Sequence, residues 1–475
     1  MVHNPVSRAG RREAIIIIRR KRGSVLTTIS KPLAKDTSSA ADYPSPGYAW
    51  YVVFVLYLAY VLAFVDRQIM TFMVQPIRSE FGISDFEFSM VHGFGFVIFY
   101  SVLGIPIARL ADRYSRRNIA AIGVGLWSLM TAACGLAGSY AQLFLARLGV
   151  GVGEASLSPS AVSLLSDYFP PDKRTLPINL YSSGVTGGAG LANIFGGLVV
   201  SFTMAGGVHS VPFLGAMSAW QVAFVLVGLP GLLIALLMLT IREPRRRERK
   251  AEVVQVSIRD TLSYLREHWT AYAGIMLAAG FAAMANYGTF SWVPALYDRV
   301  YGWGPAEIGT KFGIITIVAG TAGLYLAGVA VRRLARAGVA APHIKIMIAA
   351  TVLSVPPAAL VMAVHDPYWT LACLSIITLL MCTPIGLAQA AIAAITPNEL
   401  RAQLIAVYLL VTAFLGMGAG PNGVAAITDF VYHNDAAVGS SIAFMATGAC
   451  IVSIVILIIA IKPYARKAGP DASAG

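Results

Sequence analysis

From residue 49 to residue 461 the chain alternates long apolar runs with short polar breaks. A helix needs about 20 predominantly apolar residues to cross the hydrocarbon of a bilayer. Twelve runs reach that length, near 49–73, 86–108, 118–137, 141–166, 176–203, 219–241, 269–296, 307–331, 343–364, 369–395, 403–430 and 441–461. Glycine and proline recur inside them, which fits helices better than the ten-residue alternating strands of a barrel. The longest interruption, 242–268, begins REPRRRERK and turns amphipathic from Val256, predicting a helix along the membrane surface. It divides the spans six and six. The expected organisation is a basic, disordered tail (1–48), a six-helix bundle (49–241), the linker (242–268), a second bundle (269–462) and a short tail (463–475).

Composition agrees with this pattern. Of 475 residues, 57% are hydrophobic and 12% charged, against about 25% charged in a soluble domain. The solvent of this chain is lipid. About 31 of its 36 lysines and arginines fall in loops on one side of the predicted membrane, and only Arg78, Arg299 and Lys311 fall on the other. Basic loops stay in the cytoplasm, so a multi-pass protein of the cell inner (plasma) membrane with both termini cytoplasmic is expected. The net charge of +13 then reflects topology, and no nucleic-acid partner is implied. Ile15–Ile18 are too few for a signal-peptide core; the basic tail is expected to touch anionic lipid. The four cysteines lie within spans without metal or disulfide spacing. Of seven histidines only His92 lies well inside a span, where it reads as structural.

The halves echo one another. Ala108–Arg116 (ARLADRYSR) aligns with Gly328–Arg336 (GVAVRRLAR) at a shift of 220 residues, and the same shift carries Asp66 onto Asn286. FPPDKR at 169–174 is echoed by ITPNELR at 395–401. Internal repeats build alternating-access transporters, with the site between the halves near the midplane. Small-residue runs, GVTGGAG at 184–190 and GMGAGPNG at 416–423, predict close packing and hinges.

Four ionisable residues sit in otherwise apolar spans: Asp66, Arg67, Arg147 and Glu154. A charge at membrane depth costs roughly 2.5–3.5 kcal/mol on insertion scales and persists only when paired or used. Asp66 is placed to reach Arg147 on the fourth span, Glu154 lies two turns beyond Arg147, and Arg67 points about 100° away from Asp66, into the expected cavity. A buried carboxylate that parts from its arginine favours the neutral form. Asp66 and Glu154 are therefore candidate proton carriers with Arg147 as counter-ion, and Arg67 and Arg147 candidate anchors for an anion. Asn286, as the mirror of Asp66, and Tyr287 are candidate cavity residues of the second half. A static salt bridge is the competing reading of the charges.

The loop ARLADRYSRR (108–117) is similar to the hallmark G-x3-D-R-x-G-R-R of the major facilitator superfamily, with Ala108 and Ser115 replacing two glycines. The resemblance implies an all-α membrane protein, with 12 transmembrane helices in two pseudo-symmetric six-helix bundles. It also implies a cytoplasmic gate of Asp112, Arg113 and Arg116, with Asp167 as acidic partner. FVDRQ (64–68), RLGVGVGEAS (147–156) and SDYFPPDKR (166–174) resemble the spinster-like branch, which is associated with lysophospholipids and sphingolipids. The expectation is a monomeric secondary transporter without cofactor, driven by the proton gradient, carrying an amphipathic lipid-like or other organic anion. A proton symporter of small organic anions is the alternative. A membrane-embedded lipid enzyme is disfavoured because no H-E-x-x-H or G-x-S-x-G motif occurs, and no G-x4-G-K-[ST] encodes an ATP site.

Overall fold

The computed structural model describes residues 43–207, 209–211, 215–246, 258–363 and 366–468. Twelve long helices follow in order: α1 (Pro46–Thr71), α2 (Asp85–Arg113), α3 (Arg116–Cys134), α4 (Tyr140–Tyr168), α5 (Thr175–Ala205), α6 (Ala219–Leu239), α7 (Trp269–Tyr301), α8 (Pro305–Arg336), α9 (Pro342–Ala363), α10 (Pro367–Ile395), α11 (Asn398–Tyr432) and α12 (Asp435–Ala468). Among the described residues, 11 helices are long and apolar enough to cross a membrane. The twelfth, α3, has 19 residues but opens on Arg116, Arg117 and Asn118, which lower its hydropathy.

Polar residues at the breaks start the helices. Ser84 accepts from the Glu87 backbone N–H at 3.1 Å while the Glu87 carboxylate accepts from the Ser84 N–H at 2.9 Å, a reciprocal cap that begins α2. Ser139 and Asp366 cap α4 and α10 through the N–H groups of Gln142 and Trp369. The all-helical expectation meets one small departure: an antiparallel hairpin pairs His209–Val211 with Gly215–Met217 after α5.

The expected outer boundaries move. α1 begins at Pro46, three residues early, because Tyr48 is tied down by Thr240 and Arg242. α12 runs to Ala468 and not to 462: Tyr464 is buried beside His343 and Lys467 lies 4.5 Å from the centroid of Tyr264. The linker helix spans Ile258–Glu267 and docks on the second bundle, Thr261 bonding Gln403. Val256 and most of both tails lie outside the described residues.

The apolar interior is organised unequally along the helix axes. Two buried clusters lie at the end carrying the basic loops, one within α1–α6 (Val52, Trp127, Leu164, Ile241) and one within α7–α12 (Tyr272, Ile344, Leu404, Leu457). A single cluster spans both bundles toward the opposite end, joining Ile69, Met73 and Trp220 to Trp292, Phe312 and Ile442. The bundles also meet along α5 and α8. There a Cβ on Gly190 would stand 2.6 Å from the Gly313 carbonyl oxygen, and one on Gly313 2.6 Å from that of Gly190. Only glycine allows this backbone contact. Near mid-height, π-helical turns at Met90–Gly95 of α2 and Ala413–Ala419 of α11 face each other, Gly93 against the Met417 carbonyl.

Candidate functional site

Successive residues of α1 point to different places. Asp66, 1% exposed, turns into the first bundle, where the Thr131 hydroxyl donates to it at 2.8 Å and Arg147 Nη1 lies 3.4 Å from both carboxylate oxygens. Arg147 is itself 1% exposed, and among the described residues its Nε and Nη2 have no hydrogen-bond partner. The structure thus brings Asp66 and Arg147 together, loosely. Arg67 differs from the free cavity cation expected of it. It grips Glu154 through Nη2 on Oε1 and Nε on Oε2, the latter at 3.2 Å. Its guanidinium also lies 4.9–5.7 Å from the ring centroids of Phe64, Phe96 and Tyr100. Glu154 is 4% exposed, so Arg67 is what keeps its charge tolerable in the interior.

Arg67 nonetheless reaches the central cavity, a space of about 880 Å³ including its mouth. The walls come from both bundles. Phe64, Gln68, Phe96 and Val185 stand on one side; Asn286, Tyr287, Phe290 and Ser291 on the other, with Met417 of α11 between. Arg67 and Tyr287 are related by the 220-residue shift and share this space. Asn286 does as well, although its mirror Asp66 is turned away. One cavity feature escaped the sequence. His92, read as structural, is on the wall, its Nε2 3.3 Å from the Ser291 hydroxyl of the other bundle. The π-helical turn at 90–95 aims it there, and no spacing rule announces such a turn. Three other polar residues of the second half are absorbed by helix backbone: Trp292 donates to the Pro421 carbonyl and Tyr408 to that of Ile385, on neighbouring helices, and Asn422 to that of Gly418 on its own.

Toward the opposite end the bundles are tied by charge. Asp85, fully buried, accepts from Arg299 at 2.6 and 2.7 Å and lies 3.0 Å from Arg78, which reaches Asp435 at 2.7 Å. Asp429 accepts from the Phe86 N–H at 2.7 Å. Burial opposes the charge on Arg78, but Asp435 and Asp85 outweigh it and raise its affinity for the proton. Carboxylate oxygens of Asp85, Asp429 and Asp435 lie within 4.8 Å of one another. With two arginines already among them, the cluster is a lock of ion pairs.

At the basic end the expected gate residues separate. Arg116 is buried, bonding Asp167 at 2.5 Å and Glu243 at 2.8 Å, all within the first bundle and its linker root. Burial works against the Glu243 charge, but the Arg117 N–H, Arg116 and Ser115 prevail and hold its carboxyl below the usual range. Asp112 and Arg113 are exposed; among the described residues neither side chain joins an ion pair across the bundles. Arg246 instead caps the last carbonyls of α2, at Ala111, Asp112 and Tyr114.

Comparison with known proteins matches residues 56–421 to the model of the Major Facilitator Superfamily. An MFS-type efflux pump of Mycolicibacterium smegmatis is 28% identical over 404 residues, 84% of this chain and 89% of that one. Human protein spinster homolog 1 is 30% identical over 307 residues, 61% of this chain; the match spans 55% of the human protein. The solved structure of a bacterial homolog to the human lysosomal transporter spinster, inward-facing and unoccupied, superposes with a TM-score of 0.74. It is 27% identical, and the match covers 90% of this chain and 98% of that one.

Proposed function

Since the chain belongs to the major facilitator superfamily and is a multi-pass membrane transporter, we propose that it works by alternating access and couples an organic anion to the proton gradient without a cofactor. The basic loops put that end, and both termini, in the cytoplasm of the inner membrane; the conformer described is then the inward-open one, and a monomer contains the whole site. The observation that carries the reading is Arg67: part-exposed in the cavity, yet neutralised by a buried carboxylate. An anion entering the cavity competes with Glu154 for the guanidinium. Glu154, deprived of its partner in a water-poor site, is then more stable protonated, so anion and proton bind together. The Asp66–Arg147 pair is the second candidate for the same exchange.

The phenylalanine-rich wall favours an amphipathic, lipid-like anion; Gln68, Thr186, Thr316 and Thr378 on the same surface support the alternative, a small organic acid. The test is uptake of lysophosphatidate or gluconate into proteoliposomes under an imposed pH gradient. Each pH unit supports about tenfold accumulation per proton. Wild type is expected to accumulate one of them, and Asp66→Asn or Glu154→Gln to reduce it to equilibration. Accumulation by both variants in proportion to the gradient would refute the assignment of the acids, and uptake that tracks sodium alone would refute the ion.

A further inference from the structure

The cavity holds polar groups that the anion and the proton do not use. Asn286, 9% exposed, lies on the wall, and among the described residues its Nδ2 has no partner. His92 also lies on the wall, Nε2 against the Ser291 hydroxyl and Nδ1 unpartnered and buried. Asn286, Phe290 and Ser291 occupy one stretch of α7, whereas His92 comes from α2, so this polar group straddles the bundles as Arg67 does not. A buried polar group without a partner is costly, by more than the net value of the bond it lacks, and two in one cavity wall point to a ligand that supplies the missing partners.

We propose that Asn286, His92 and Ser291 form a second subsite that reads an alcohol group, so that the transported molecule is a hydroxylated organic anion. The inference rests on the anion-transport reading above and narrows it. An amide N–H can only donate. A neutral imidazole presents one donor and one acceptor; with the Ser291 hydroxyl able to take either role at Nε2, the role of Nδ1 follows. An alcohol oxygen accepts from Asn286 and can also accept from, or donate to, Nδ1, so it satisfies both orphans in either tautomer. A carboxylate or phosphate cannot donate and is served by Arg67. The substrate thus places its anion on the first bundle and its hydroxyl across the seam between His92 and α7. Phe64, Phe96, Phe290 and Met417 line what lies between. Binding through both subsites draws on both bundles at once, which gives the ligand the differential grip a switching transporter needs.

Two sources offer this chemistry, a lysolipid phosphate with a free glycerol hydroxyl and a small polyhydroxy acid. The experiment uses matched pairs in detergent-solubilised full-length protein: 1-oleoyl-lysophosphatidate against its 2-deoxy analogue, and gluconate against hexanoate, with affinity from ligand-dependent thermal shifts. In one pair the hydroxylated member is expected to bind about tenfold tighter. Asn286→Leu and His92→Phe should bring that ratio close to one with the deoxy member bound as before, while Arg67→Gln should weaken both members together. Ser291→Ala, the mildest change, guards against misfolding and should reduce the ratio partially. Equal affinity within both pairs, no binding by either pair, or an undiminished ratio in folded Asn286→Leu and His92→Phe would each overturn the subsite. The transport reading fails separately: a protein that prefers the hydroxylated member yet does not accumulate it under a pH gradient retains the subsite and loses the coupling.

Discussion

The two ends of this molecule hold their helices by different means. Toward the opposite end the bundles share one apolar cluster, and Asp85 of the first bundle is clasped by Arg299 of the second. At the basic end each bundle keeps its own buried cluster, and the ion pairs of Arg116 with Asp167 and with Glu243 stay within the first bundle and its linker root. Similar chemistry therefore does two jobs. A buried pair that crosses the seam stabilises one conformation over another, whereas a buried pair inside a bundle stabilises the bundle whichever way it faces. What decides between them is which helices carry the partners.

The largest expected effect comes from breaking the crossing pair. Removing one member of a buried ion pair costs about 3–5 kcal/mol; Asp85 keeps Arg78 at 3.0 Å, so Arg299→Ala falls at the lower end of that range, and only on the conformer in which the pair exists. The population should move by on the order of 100-fold toward the form open at the opposite end. Spin labels at Ser79 and Asn434 would report it as a lengthened distance; an unchanged distribution would remove the lock from this account. Next comes the internal pair. Arg116→Ala should lower thermal stability in detergent by roughly 3 kcal/mol without altering that distance, while Asp112→Asn, exposed in this conformer, should stay within about 0.5 kcal/mol of wild type. Equal melting of the two variants would contradict the distinction. The smallest effect concerns Glu243. Its carboxyl titrates below the unfolded-state value, so its contribution is present above about pH 4.5 and fades as pH falls through the lowered folded value. Glu243→Gln should flatten the acid limb of the melting curve between about pH 5 and pH 3, and a parallel limb would show that the linker root adds nothing.

The helices were legible because lipid imposes a length and an apolar composition that a reader can count. Their ends were not, since Tyr48 and Tyr464 extend α1 and α12 through contacts with residues distant in sequence. Charges in the spans were equally conspicuous: Asp66, Arg67, Arg147 and Glu154 cannot be ordinary where they stand. Their pairing was half visible. Helical spacing put Asp66 opposite Arg147, yet the grip of Arg67 on Glu154 depends on how α1 and α4 lean together. The internal shift of 220 residues singled out Asn286, which does line the cavity, through a mirror residue, Asp66, that does not. His92 and the Asp85 lock were hidden for opposite reasons. A solitary imidazole in an apolar run carries no pattern, and aspartates or arginines at span ends look like ordinary loop polarity.

The reciprocal glycines of α5 and α8 have a mechanical corollary. Gly190 and Gly313 lay backbone against backbone, and the missing Cβ atoms leave notches that Ile317 and Ile194 enter from the facing helix. A turn at that seam must carry Ile194 and Ile317 out of those notches, so the hinge itself adds a detent to the resistance offered by the charges at the rim.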